Sequence, residues 1–214
     1  FRSPGDEAPL VRAYLEHFFG QEESWEAFSP YLKADYLRRL FAETKILAGT
    51  GDMERWYSSI DDPAYYEALE NRVELEFPAT QTTEFATGAA VSLDVDIKNV
   101  KTLLVKVFEI DALTYALAEN KEVDASIDLD GLVAGAETTY SYDAPSLRRI
   151  REHVEFPELT ESGVYVIDFI GGGISGRAVV RKGHLEVRGR NSSAGHVFEV
   201  VDAAGVPRTD AAIY

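Results

Sequence analysis

Cysteine is absent from this chain of 214 residues. That absence excludes disulfide bonds, thiolate nucleophiles and cysteine-based zinc sites. No apolar run approaches the roughly 20 residues that a membrane-spanning helix needs, so we expect no insertion into a membrane. The N-terminus lacks the hydrophobic segment of a secretory signal peptide. Because the chain begins at Phe1 rather than at Met, we interpret it as a piece of a longer protein.

Positive charge is scarce, since 21 lysines and arginines stand against 37 acidic residues and give a net charge of −16. An acidic surface repels phosphate backbones and anionic lipids, so we expect no nucleic-acid partner and no docking on membranes. The acids are dispersed along the chain, which is typical of a solvated surface. The apolar content of 45% is that of an ordinary globular protein.

Residues 1–71 have the pattern of short amphipathic helices. An apolar stripe at helical spacing marks the first of them and consists of Leu10, Val11, Tyr14, Leu15 and Phe18. A hydroxyl followed by proline at Ser29-Pro30 predicts the start of the next helix. Asp52 and Asp62-Pro63 predict two further helix starts. We therefore expect a small helical region here.

After residue 71 the apolar residues alternate with polar ones, which is the period of β-strands. The run 103–110 is almost continuously apolar and predicts a central strand buried on both faces. Segment 111–122 favours a short helical insertion. Further strands are predicted at 125–129, 137–142, 154–156, 164–169, 176–181, 184–188 and 195–201. The sequence thus predicts an α+β fold, a short-helix N-terminal region plus an antiparallel immunoglobulin-like β-sandwich.

One hairpin, residues 156–183 (FPELTESGVYVIDFIGGGISGRAVVRKG), has a distinctive pattern of proline, turn glycine, apolar strand and glycine corner. It resembles the hairpin of macroglobulin-like domains in the α2-macroglobulin superfamily. The likeness extends from residue 73 to 214, with further anchors at 105–109 and 205–207. The helical region does not match. The superfamily's reactive thioester requires a cysteine, so protease trapping would have to reside in another part of the parent protein.

The resemblance implies one macroglobulin-like sandwich at 72–192 within a large multidomain protein, next to a helical region at 1–71. Residues 193–214 would be the opening strands of a further sandwich domain or a swapped strand. The implied partners are other domains of the same protein or a separate protein. The implied compartment is the periplasm, the cell surface or the exterior. If the chain ends at Tyr214, its last strand is an exposed edge, and we expect a homodimer through that edge.

A calcium loop is the sharpest candidate for chemistry. Counted as a twelve-residue EF-hand loop, Ser126, Asp128 and Asp130 occupy positions 1, 3 and 5, and Glu137 occupies position 12. Oxygens at that spacing could surround one calcium ion. The same residues also fit a tight turn at Gly131, which is the interpretation that we favour. No other cofactor is expected.

Aromatic and basic side chains form two further groups. Trp56, Tyr57, Tyr65 and Tyr66 could form a shelf that binds a carbohydrate or a peptide, or they could be anchors of the core. The basic residues are Arg148, Arg149, Arg151, Arg177, Arg181, Lys182, Arg188 and Arg190. They could dock an acidic partner, although ion pairs with the abundant acids are the simpler interpretation.

Three hypotheses on function follow. The chain is a non-catalytic structural or protein-interaction segment of a large protein, which we favour. Alternatively it is a carbohydrate- or peptide-binding module that uses the aromatic group. As a third hypothesis it is a non-catalytic fragment of an enzyme, since no catalytic residues can be nominated.

Overall fold

The computed structural model describes residues 7–193, 195–202, 204–209 and 211. Within them the chain forms five α-helices and ten β-strands. The helices are α1 Ala8–Phe19, α2 Ala34–Ala48, α3 Met53–Ile60, α4 Pro63–Asn71 and α5 Ala112–Glu119. The strands are β1 Glu74–Glu76, β2 Glu84–Phe85, β3 Ser92–Lys98, β4 Thr102–Ile110, β5 Ala136–Ser141, β6 Ile150–Glu155, β7 Gly163–Gly171, β8 Ile174–Lys182, β9 Leu185–Ser192 and β10 Gly195–Asp202. The predicted α+β fold is confirmed, with four of the five helices before the first strand.

Two of the three predicted helix starts are confirmed. The Asp52 carboxylate accepts the N–H groups of residues 54 and 55 at the start of α3, and Asp62 caps α4 with Pro63 as its first residue. The start at Ser29-Pro30 is wrong, because α2 begins four residues later, after Lys33. Ser29 instead ends a 3-10 turn at Glu26–Phe28, where its N–H donates to the Glu26 carbonyl.

The contacts divide the chain into two compact units that are discontinuous in sequence. The helical unit contains, among its described residues, 7–79, Asp96–Lys101 and Tyr142–Glu152. Its core is aromatic at the centre, where the Phe41 ring lies 5.1 Å from that of Phe19 and 5.5 Å from that of Trp56. Leucines of α1, α2 and α4 surround these rings.

The sheet unit contains Thr80–Val95, Thr102–Ser141 and the described residues from His153 onward. Five strands form its main sheet in the order β2-β8-β7-β4-β5. All neighbours pair antiparallel except β2 and β8, which run parallel. The run 103–110 is thus an interior strand, β4, as predicted. Burial on both faces is wrong for much of its length, because Leu104, Lys106 and Ile110 on the second face are only half-buried. A smaller sheet has the order β1-β3-β6, and its β1–β3 pairing, between residues 74–76 and 96–98, belongs to the helical unit.

The insertion after β4 confirms one prediction and corrects another. The helix predicted within 111–122 is α5, capped by the Asp111 carboxylate. The strand predicted at 125–129 is wrong, because this segment is a loop. Its alternating apolar residues, Ile127 and Leu129, are nevertheless buried in one cluster with Phe108 and Val166 of the main sheet. Burial of alternate residues therefore occurs here without strand pairing.

The strands β9 and β10 form a separate two-stranded hairpin. β10 comes from the predicted third segment, 193–214, whose last residues, 212–214, lie outside the described part of the chain. The proposed division into 1–71, 72–192 and 193–214 stays a prediction of domain organisation. No described helix has the length and apolar character that a bilayer crossing requires.

Candidate interaction surfaces

Six charged side chains of the helical unit form a closed cycle in which each arginine contacts two glutamates. We name it the Arg–Glu ring, and its members in order are Arg12, Glu16, Arg149, Glu74, Arg72 and Glu43. Arg12 of α1 lies 2.7 Å from Glu16 through Nε and 2.7 Å from Glu43 through Nη2. The Glu43 side chain on α2 is only 1% exposed. Tyr65 adds a hydroxyl that donates to Glu43 at 2.6 Å.

The other half of the ring uses residues that are distant in sequence. Arg149 donates to Glu16 at 2.8 Å and to Glu74 of β1 at 2.5 Å. Arg72, at the end of α4, donates to Glu74 and, at 2.8 Å, to Glu43. Three positive and three negative charges therefore balance within one network. In such a network each buried charge loses its hydration but is paired with an opposite charge.

The ring lowers the pKa values of its two buried carboxyl groups, Glu43 and Glu74. Burial alone would raise the pKa of Glu43, but hydrogen bonds from Arg12 and Tyr65 outweigh it and hold that pKa below its ordinary value. Burial is likewise outweighed at Glu74, where Arg149 and Arg72 lower the pKa. Both groups thus favour ionisation in the folded state.

We expect acid to destabilise the helical unit through these two carboxyl groups. Because their folded pKa values lie below the unfolded value of about 4.3, they stabilise the fold fully above that pH. The stabilisation is lost as the pH falls below about 4.3 toward the folded pKa values. Urea unfolding between pH 7 and pH 3, followed by tryptophan fluorescence, measures this. A Glu43→Gln variant should show a shallower dependence on pH, and an unchanged slope would contradict the prediction.

Sequence analysis missed the ring, because most of its members meet only through the fold. One signal was available, since Arg12 and Glu16 have the i, i+4 spacing of a helical ion pair. Arg149 was named only as a member of a basic group. Nothing in the sequence connects it with residues more than 70 positions away.

The four aromatic residues of the predicted shelf do not act as one surface. The Trp56 side chain is buried in the helical core, and its indole N–H donates to the Thr50 carbonyl at 2.8 Å. The Tyr65 hydroxyl contacts the Arg–Glu ring. The rings of Tyr57 and Tyr66 pack edge to face, with centroids 4.6 Å apart. Carbohydrate or peptide binding by this group stays a prediction, now confined to the latter pair.

The residues of the predicted calcium loop make local contacts with different partners. The N–H and hydroxyl groups of Ser126 donate to the carboxylate of Asp124. Asp128 accepts the N–H of Asp130 at 2.9 Å, as in a tight turn. Glu137, on β5, pairs with a lysine of β4 at 3.3 Å. Among the described residues no three acidic or histidine side chains converge as a metal site. Calcium binding stays a prediction.

The apolar stripe of α1 has an inner and an outer part. Leu15 and Phe19 are buried in the helical core. Leu10 and Tyr14 face outward, with exposed fractions of 66% and 57%. The Tyr14 ring contacts that of the half-buried Phe18, with centroids 4.7 Å apart. We name Leu10, Tyr14 and Phe18 the outer stripe. Contiguous apolar side chains that remain in solvent are typical of binding surfaces.

Most basic side chains pair with acids, as the simpler interpretation predicted. Arg151 forms a double contact with Asp96 at 2.8 and 2.6 Å, and Arg177 pairs with Asp168 directly across β7 and β8. Further pairs involve Arg149, Arg181 and Arg188. Lys182 donates to the Leu159 carbonyl. Arg148 is an exception, because within the described part of the chain its guanidinium has no acidic partner.

The β9–β10 hairpin presents one apolar face. Leu185, Val187 and Phe198 lie on it and are exposed. The Phe198 ring covers Gly189 on the opposite strand, 3.3 Å from where a Cβ would stand. Beyond this pairing, the described residues add only an isolated bridge between Val201 and Pro207. A homodimer through a free strand edge of this hairpin stays a prediction.

Comparison with known proteins gives two family matches. The model of the Actin-binding protein F N-terminal domain matches residues 1–73. The model of the AbpF first immunoglobulin-like domain matches residues 103–183, in agreement with the immunoglobulin-like sandwich predicted there. Actin-binding protein F of Dictyostelium discoideum is 33% identical over 214 residues. That alignment covers 99% of this chain but 9% of the relative, so the chain spans less than a tenth of the relative's length.

A solved structure also resembles this chain. It is the crystal structure of native alpha-2-macroglobulin from Escherichia coli spanning domains MG0-NIE-MG1, with a TM-score of 0.43 and 13% sequence identity. The match covers 64% of this chain and 48% of the other.

Proposed function

We propose that this chain is a non-catalytic interaction segment of a large multidomain protein and that its partner is actin. The observation that carries the proposal is the 33% identity with Actin-binding protein F across almost the whole chain. The match of residues 1–73 to the N-terminal domain of that protein supports the same conclusion. The compartment that fits this function is the cytoplasm, rather than the exterior that the macroglobulin resemblance implies.

Within the helical unit, we propose the outer stripe as the surface that contacts actin. Leu10 and Tyr14 stand one helical turn apart on α1 and expose large apolar side chains that do not contribute to the core. Leu15 and Phe19 of the same helix are buried in the core and so hold α1, with its outer stripe, in place. An aromatic residue presented on a fixed helix is a favourable contact, because little side-chain freedom is lost on binding.

Co-sedimentation with actin filaments tests this proposal. The intact chain should appear in the pellet in proportion to filament concentration. Leu10→Glu or Tyr14→Glu should weaken the apparent affinity at least about tenfold, which corresponds to about 1.4 kcal/mol. The matched control is Leu117→Glu on α5, because Leu117 is equally exposed, at 69%, but lies in the sheet unit.

Three outcomes are informative. Loss of binding in the two α1 variants alone supports both actin binding and the outer stripe. Equal binding of all variants would move the contact surface away from α1. If the unmodified chain remained in the supernatant at every filament concentration, actin would not be its partner.

A further inference from the structure

Arg148 differs from the arginines of the helical unit that form ion pairs. Its Nη1 is buried and has no hydrogen-bond partner among the described residues. No acidic side chain of the described chain forms an ion pair with it either. Leaving a buried donor without a partner costs about 1–3 kcal/mol, and more when the group is charged. The packing of Arg148 against its neighbours therefore does not explain why this donor is buried.

The guanidinium of Arg148 is held in place by the end of α2. A Cβ on Gly49, which has a φ of +60°, would stand 1.2 Å from Nη1, so this nitrogen occupies the space beside the glycine. The neighbouring N–H of Arg149 donates to the Leu47 carbonyl at 3.0 Å and ties the segment to the helix. The negative end of the helix dipole favours a cation there. It does not supply Nη1 with an acceptor.

A pocket of about 210 Å³ opens beside this arginine. Two lysines, Lys98 and Lys101, line it together with the hydroxyl-bearing Ser146, and none of the described residues that line it is acidic. The Lys98 ammonium is buried and donates to the main-chain carbonyls of Glu70 and Arg72, at 3.0 and 2.9 Å. Three basic residues thus line a small space in a chain whose net charge is −16.

We infer that this pocket binds a single oxyanion group, a carboxylate or a phosphate, with Arg148 as its principal donor. The planar fork of a guanidinium matches the oxygens of either group. The volume lies below the roughly 300 Å³ at which pockets for whole small molecules begin, so the pocket accommodates one group of a larger partner or a free anion. Lys101 is exposed and adds charge at the entrance. The inference does not rest on actin binding.

One carboxylate lies at the margin of this site. Glu70 accepts a hydrogen bond from the Ser146 hydroxyl at 3.3 Å. Its negative charge opposes an incoming anion, so the attraction must come from the arginine and lysine side of the pocket.

The test is a titration of the ¹⁵N-labelled chain with inorganic phosphate and, separately, with acetate at constant ionic strength. Saturable changes in the amide resonances of residues 97–101 and 146–150 are expected with at least one of them. Arg148→Met, which keeps an unbranched apolar stem over Gly49, and Lys101→Met should each weaken that binding at least tenfold. Lys33→Met is the matched control, since Lys33 is an exposed cation of the same unit outside the pocket.

The two anions distinguish the source of the bound group. Tighter binding of phosphate assigns the pocket to a phosphorylated partner or free phosphate, and tighter binding of acetate assigns it to a carboxylate. Absence of saturable changes with both anions would overturn the inference. So would equal affinity of the unmodified chain and the Lys101→Met variant, whose exposed position leaves folding unaffected.

Discussion

Replacing Glu43 with alanine should lower the free energy of unfolding of the helical unit by about 1–3 kcal/mol. The substitution leaves Arg12 and Arg72 without the carboxylate on which both converge, and it removes the acceptor of the Tyr65 hydroxyl. Each arginine keeps a second glutamate of the ring, Glu16 for Arg12 and Glu74 for Arg72, so the loss comes from donors that share one buried acceptor rather than from an unpaired charge. Urea unfolding followed by tryptophan fluorescence measures the loss, since both tryptophans, Trp25 and Trp56, lie in the helical unit.

The control for this prediction is Asp35→Ala on the same helix. The Asp35 side chain is 94% exposed, and its ion pair among the described residues is with a surface arginine, Arg38, at 3.2 Å. Its removal should change the free energy of unfolding by less than about 0.5 kcal/mol. If Glu43→Ala were as mild as this control, the ring would not be a closed, desolvated network.

The second large effect is expected at Phe41. Its replacement by alanine removes a buried ring that contacts Phe19 and Trp56, and it leaves a cavity in the core. Substitutions of this kind cost about 3–5 kcal/mol. We also expect the fluorescence emission of the variant to shift to longer wavelength, because Trp56 would lose an apolar neighbour.

Tyr31→Ala is the matched control, because the Tyr31 side chain is exposed in the same unit. It should leave both the free energy of unfolding and the emission maximum close to those of the unmodified chain. If Phe41→Ala lowered the free energy of unfolding by less than about 1 kcal/mol, the core would have to collapse into the space that the ring leaves.

The features that the sequence predicted are those decided within a few residues. Asp52 and Asp62 cap their helices because a carboxylate reaches its own chain two or three residues later. The start at Ser29 failed because the same hydroxyl–proline pattern also fits a 3-10 turn. The alternation of apolar and polar residues at 125–129 correctly indicated which side chains are buried. It could not predict strand pairing, because pairing depends on a neighbouring strand that the local pattern does not contain.

The candidate sites depended more strongly on distant contacts. The α1 stripe looked like one apolar face, whereas the core takes Leu15 and leaves Leu10 and Tyr14 outside. Helical periodicity gives the direction of a side chain but not the extent of the partner that covers it. Arg148 and Arg149 are adjacent in sequence and chemically equal. Only the fold distinguishes the one that completes a ring from the one that faces a pocket.

The ring also restricts how this segment can be divided or recombined in evolution. The match to the N-terminal domain ends at residue 73, while Glu74 and Arg149 complete the cycle from beyond it, Arg149 from within the segment that matches the immunoglobulin-like domain. A gene rearrangement that transferred residues 1–73 alone would carry Arg12, Arg72 and the two glutamates of α1 and α2 without their remaining partners. Residues 1–73 alone would therefore leave the ring open, and the complete ring requires Glu74 and a residue of the second matched segment.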